Sequence, residues 1–129
     1  MFDVVSYGTF KNVKSDCYIC KYMGEEKDEF GNRVPVYDKP NKEPYEWNIQ
    51  NISQSSEQYA FGERVLNMKV ALLKGIERDE FINQFSELDL AYLDGATPEG
   101  EVVNGDNANY KIYAIKPQNV ALLIYFEKR

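Results

Sequence analysis

The alternation of apolar and polar positions divides the chain into short extended runs. "PYEWNIQNIS" sets Tyr45, Trp47 and Ile49 against Glu46, Asn48 and Gln50, the period-two pattern of a half-buried strand. Upstream, "DCYICKYMGEE" reads as one strand ending in a charged turn. "RVPVYDKP" resumes an extended run, but Pro35 cannot donate to a ladder, which predicts a short or edge strand. "RVLNMKVALLKG" fits helix or strand. Leu66, Met68, Val70 and Leu72 would share one strand face and Gly75 closes the run, so strand is preferred. In "ERDEFINQFSELD" the four-residue spacing of Phe81 and Phe85 predicts a short amphipathic helix. "LDLAYLDG" then alternates Leu88, Leu90 and Tyr92 with Asp89, Ala91 and Leu93.

The C-terminal third predicts two more strands around a tight turn, "KPQN". In the first, Tyr110, Ile112 and Ala114 alternate with Lys111, Tyr113 and Ile115. In the second, Val120, Leu122, Ile124 and Phe126 take one face and Ala121, Leu123 and Tyr125 the other. Both faces of that last strand are apolar, so it is buried on both sides or sits in an interface. Six or seven short strands with one helix predict a mainly all-β fold: a small antiparallel β-barrel, or a sandwich, with one short helix and extended loops. No repeat or linker splits residues 1–129, which read as a single domain with residues 1–16 as an N-terminal arm. Two stretches stay outside this pattern. "SQSSEQYAFG" reads as one or two helical turns or as a loop, closed by Gly62, and "GATPEGEVVNGDNAN" is rich in turn formers.

Composition narrows the partners. A chain of 129 residues that is 43% hydrophobic and 28% charged has the make-up of one soluble globular domain. The formal charge of −6 argues against tight binding of nucleic acid, whose phosphates are held by Lys and Arg. It is compatible with a surface past which DNA moves without adhering. No stretch has the apolar length of a membrane span, and "MFDVVSYGTFKNVKSD" lacks the parts of a signal peptide.

The search for chemistry yields little. The chain has no histidine, the commonest base for activating a nucleophile. Cys17 and Cys20 form one C-x-x-C, but a zinc site needs a second pair of ligands. On a strand the two thiols point to opposite faces, so they read as buried or half-buried structural cysteines of an intracellular protein. The adjacent acids Asp28/Glu29 and Asp79/Glu80 would face water in turns or opposite ways on strands, neither of which makes a carboxylate-pair hydrolase. "DEFGNR", in a run with five acids, invites a calcium-loop reading. Counted from Asp28, however, the third position is Phe30, the sixth Arg33 and the twelfth Lys39, so the pattern fails. A hairpin turn needs only residues such as Gly31 and Asn32 that tolerate positive φ. The residues therefore point to no catalytic group, no metal ligand and no cofactor.

Taken in order, the strand pair joined by "DEFGN", the strand "YEWNIQNIS" running into "QSSEQYAFG", the segment "FSELDLAYLDG" and the ending "NANYKIYAIKPQNVALLIYFEK" resemble the head–tail joining proteins of tailed bacteriophages, of the head-closure or stopper type. The resemblance runs from about Cys17 to Lys128 and rests on strand and turn order. It implies a non-enzymatic β-barrel that forms a ring, usually dodecameric, beneath the portal and adaptor. Such a ring seals the DNA channel after packaging and offers a docking surface to the tail terminator or tail tube proteins. The implied location is the neck of the virion, with assembly in the host cytoplasm and DNA passing the lumen without sequence-specific binding. By position, the resemblance assigns the gate or channel loop to Gln54, Ser55, Ser56, Glu57, Gln58, Tyr59, Phe61 and Arg64. Phe2, Tyr7, Phe10, Tyr125 and Phe126 are the candidate interface residues. The long N-terminal segment and the "ATPEGEVVNGDN" insertion read as arms toward neighbours, or as marks of a sister neck protein, an adaptor or tail terminator. A small β-barrel module that binds a ligand or a peptide strand is the alternative from another class.

Overall fold

The structure, a computed structural model, describes residues 14–52, 62–98 and 105–129. In chain order these form β1 (Ser15–Cys20), β2 (Tyr22–Lys27), β3 (Arg33–Tyr37), β4 (Tyr45–Asn51), a 3-10 helix (Gly62–Asn67), β5 (Met68–Lys74), α1 (Gly75–Gln84), β6 (Leu90–Tyr92), β7 (Tyr110–Pro117) and β8 (Ala121–Lys128). Six strands close an antiparallel barrel in the order β1-β4-β5-β8-β7-β6, and among the described strands β2 and β3 pair with each other as a separate two-stranded sheet. The expected small all-β barrel with one short helix is the fold.

Closure decides which faces are buried. Cys17, Ile19, Trp47, Ile49, Ala71, Leu73, Ile112, Leu122, Ile124 and Phe126, drawn from strands around the barrel, form one cluster in its interior. Helix α1 adds Phe81, whose ring meets that of Trp47 edge-on at 5.7 Å, and Tyr45 stacks on Trp47 at 4.9 Å. The outer faces of β5 and β8 carry a second cluster of Met68, Val70, Leu72, Ala121, Leu123 and Tyr125. This is why β5 and β8 are apolar on both sides. Their seven-residue register, from Met68↔Glu127 to Lys74↔Ala121, runs without a break, whereas the equally long β7–β8 pairing is interrupted by a bulge.

Register also fixes the two ends. Ser15, Asn51, Met68 and Lys128 lie toward one end, through Ser15↔Trp47, Asn51↔Lys69 and Met68↔Glu127. Cys20, Lys74 and Ala121 lie toward the other, where α1 begins and the chain leaves for β2.

Four expectations need correction. The run "DCYICKYMGEE" is not one strand. It breaks at Lys21, so Ser15–Cys20 serves the barrel and Tyr22–Lys27 a separate ribbon. Strand β6 spans only three residues. Leu88 stands outside it, 60% exposed, while Asp89 is buried, because its carboxylate finds backbone donors that Leu88 cannot use. Leu66 and Val120 are exposed as well: Leu66 belongs to the 3-10 helix before β5, and Val120 precedes β8 at the β7–β8 turn. In β7 a bulge between Ile112 and Ala114 shifts the alternation. Beyond it Ile115, rather than Ala114, packs toward the interior.

Candidate functional site

The sequence-assigned positions fall in three groups. Gln54, Ser55, Ser56, Glu57, Gln58, Tyr59 and Phe61, with Phe2, Tyr7 and Phe10, lie outside the described residues. Arg64 lies in the 3-10 helix. Tyr125 and Phe126 are a correction: both are 0% exposed, Phe126 in the barrel interior and Tyr125 under the outer cluster. Their bulk is used within the chain, so neither offers a surface to a neighbour. The thiols are buried on opposite faces, Cys17 in the interior and Cys20 beside Leu90, Tyr92 and Ala108 on the outer face. Burial pushes both thiols up from their ordinary range, which holds them in the weakly nucleophilic protonated form.

The paired acids are likewise separate pieces. Asp28 builds the β2–β3 turn: its Oδ1 accepts from the amides of Phe30 and Asn32, each at 2.9 Å. Asp28 N donates to the Asn32 carbonyl at 2.8 Å, and Gly31 takes φ 82°, a conformation only glycine adopts without strain. "DEFGNR" is thus a turn, as its composition suggests. It lies outside the barrel, however, and sets no barrel register. Asp79 and Glu80 are exposed on α1, Asp79 near Arg78 at 3.7 Å.

Two polar assemblies that alternation did not single out organise the molecule. The first lies at the barrel end bearing Ser15 and Met68. A cavity of about 350 Å³ opens there among Lys14, Asp16, Ile49, Lys69, Leu93 and Asp94. Asp94 and Gly95 have φ of 60° and 79° and Ala96 N donates to the Leu93 carbonyl, as an Asp-Gly turn of the primed type requires. That turn aims Asp94 at two donors, Lys69 Nζ at 2.7 Å and Tyr110 Oη at 2.6 Å. Burial alone pushes the Asp94 carboxyl up. Hydrogen bonds from Lys69 and Tyr110, with the charges of Lys69 and Lys128, outweigh it and hold the group below its ordinary range. Tyr110 is pushed up, first by burial and then by its carboxylate acceptor. Beside them the Asn109 side chain imitates a strand: Leu93 N donates to its Oδ1 at 2.9 Å and its Nδ2 donates to the Leu93 carbonyl at 2.8 Å. This carries the β6–β7 pairing one step past Ala91↔Tyr110.

The second assembly joins the ribbon to the barrel. Asp89, 2% exposed, accepts from Tyr22 N at 2.7 Å and from Ser86 N at 2.8 Å. Its backbone carbonyl takes the amide of Ile112 at 3.1 Å. One residue thereby ties the root of β2, the end of the α1 segment and β7. Burial raises its carboxyl above the ordinary range, against the two backbone amides and Lys21, which lower it. Asp38 N closes the ribbon base on the Lys21 carbonyl at 2.8 Å, and Tyr22 and Tyr37 pack edge-on at 5.7 Å. From the next loop, Asn41 Oδ1 accepts from Ile19 N at 2.9 Å. Arg129 is equally fixed. Its Nη1 donates to the carbonyls of Gly105 and Ala108 at 2.9 and 3.0 Å.

Chemically these groups hold shape. The charges around the cavity neutralise one another: Lys69 pairs with Asp94, and Lys14 reaches Glu77 at 3.5 Å. Among the described residues no three His, Cys, Asp or Glu side chains gather as a metal set would, and no helix is long and apolar enough to cross a membrane. Two signals in the sequence could have found the missed residues. "DG" at Asp94-Gly95 marks a primed turn, and "SELD" sets Ser86 three residues before Asp89, the spacing of a local side-chain-to-backbone turn. No family model matches the chain, and no curated protein and no solved structure matches it.

Proposed function

We propose that this chain is a structural protein of a bacteriophage neck, of the head-closure type. In this reading it forms a homo-oligomeric ring, dodecameric by analogy, under the portal and adaptor, seals the DNA channel and presents a surface for tail docking. It acts without catalysis. The observation that carries the reading is the closed barrel whose interior is filled by side chains from Cys17 to Phe126, with an acidic two-stranded ribbon standing outside it. A filled barrel is a rigid block suited to assembly, and it speaks against a barrel that encloses a small ligand, which needs an empty apolar interior. The formal charge of −6 suits a channel wall that does not hold DNA.

Electron microscopy of phage particles made without this chain tests the proposal. Free tails beside leaky, emptied heads are expected. DNA-filled heads carrying full-length tails would overturn it, and with it the placement of the protein in the neck.

A further inference from the structure

We propose that the outer edge of β2 is a docking edge for an extended, basic segment of another protein, which adds to the ribbon as a third strand. The inference stands on the ribbon alone and does not depend on the neck reading. The ladder defines which backbone groups face outward. Asp28 N donates to the Asn32 carbonyl across the turn, while Asn32 N donates to the Asp28 side chain, so the Asp28 amide faces β3. The register continues Lys27↔Arg33, Glu26↔Val34, Glu25↔Pro35. Antiparallel pairs alternate between hydrogen-bonded and non-bonded, which directs the amides and carbonyls of Glu25 and Lys27 away from β3. Pro35, opposite Glu25, then sits where its missing N–H leaves the ladder intact.

The two outer edges are therefore unequal. On β3, Pro35 has no amide hydrogen to offer a new strand. On β2, Glu25 and Lys27 present both donor and acceptor, and no described strand pairs with that edge. At the ribbon root the Tyr22 amide is already taken by Asp89 at 2.7 Å. Docking is thus confined to the part of β2 toward the tip.

Charge selects the occupant. Glu25, Glu26, Asp28 and Glu29 crowd this part of the ribbon against Lys27 and Arg33, with Arg33 near Glu25 at 3.9 Å. Two copies paired edge to edge along β2 would bring like-charged ribbons together, which is unfavourable across a sheet. A segment carrying Lys or Arg meets complementary charge instead. Phe30 at the tip is 85% exposed and Met23 58% exposed, apolar anchors at either end of the acidic stretch of the kind that adds affinity to strand addition.

The test is an NMR titration of the full-length 15N-labelled chain with a short synthetic peptide alternating Lys with Val and Thr, taken to millimolar concentration. The amides of Glu25 and Lys27 should shift and gain protection from exchange while the barrel amides stay in place. Replacing the peptide's Lys by Glu should weaken binding at least about ten-fold, and N-methylation along its pairing edge should abolish it. Glu25→Pro removes an outward amide without touching the ladder, so it should lose the response with the barrel spectrum unchanged. No shift at millimolar peptide, shifts confined to the barrel, or binding that survives N-methylation would each overturn the proposal. Concentration-dependent shifts at Glu25 and Lys27 without peptide would overturn it too, in favour of a second copy as the occupant.

Discussion

Asp89 shows how one side chain can organise a fold without catalysing anything. Its carboxylate satisfies two amides, Tyr22 N and Ser86 N, that have no strand partner on that side. Asp89→Ala leaves both without that acceptor, and the expected loss is about 1–3 kcal/mol, read by urea unfolding. Asp89→Asn should rescue little, since its amide group points a donor at one of the two N–H groups. Asp89 and Asp94 respond to pH in opposite senses. Asp89 is raised in the folded chain, so the native state binds its proton more readily than the unfolded state. Its contribution is complete below the ordinary value of 3.8 and is lost as pH rises through the raised one. Asp94 is lowered, so its contribution is present above 3.8 and is lost as pH falls through the lowered value. Stability measured from pH 3 upward in about unit steps should therefore change slope in opposite directions in Asp89→Asn and Asp94→Asn. The same slope change in both would contradict this assignment.

At the scale of elements, what the sequence made legible depended on how many faces each strand buries. Strand β4 was readable because only one of its faces meets the interior, so Trp47 and Ile49 stand out against Glu46 and Gln50. Strand β8 was readable as doubly buried because Ala121–Phe126 is continuously apolar, but alternation does not say what covers each face. Here the covers are the barrel interior and the outer cluster, rather than a neighbouring subunit. Strand β6 departs from its apolar alternation because Asp89 obeys hydrogen bonding where its neighbours obey hydrophobic burial. The ribbon was legible as a hairpin from Gly31 and Asn32. Its separation from the barrel was not, because the break at Lys21 carries no Gly or Pro signal. Gly31→Ala places a Cβ at φ 82° with nothing within 4 Å, so the cost is conformational, about 1 kcal/mol. Hydrogen exchange should show the loss in β2 and β3, with the barrel strands unchanged.

At the scale of the molecule, the barrel interior carries the stability. Phe126→Ala should cost about 3–5 kcal/mol by leaving a cavity beside Ile124 and Leu122, read as a lower Tm of the isolated chain. If Phe126 instead acted at an interface, the isolated chain would keep its Tm and only assembly would suffer. The proposed placement in the neck rests on the order of the elements, while the assemblies at Asp94 and Asp89 depend on contacts between residues such as Lys69 and Tyr110 that are distant in the chain. The central claim is a location, and labelling tests it directly. Gold-tagged antibody against the chain, imaged by electron microscopy on intact phage particles, should decorate the junction between head and tail. Label on capsid faces or along the tail shaft, or purified particles that lack the chain altogether, would contradict it.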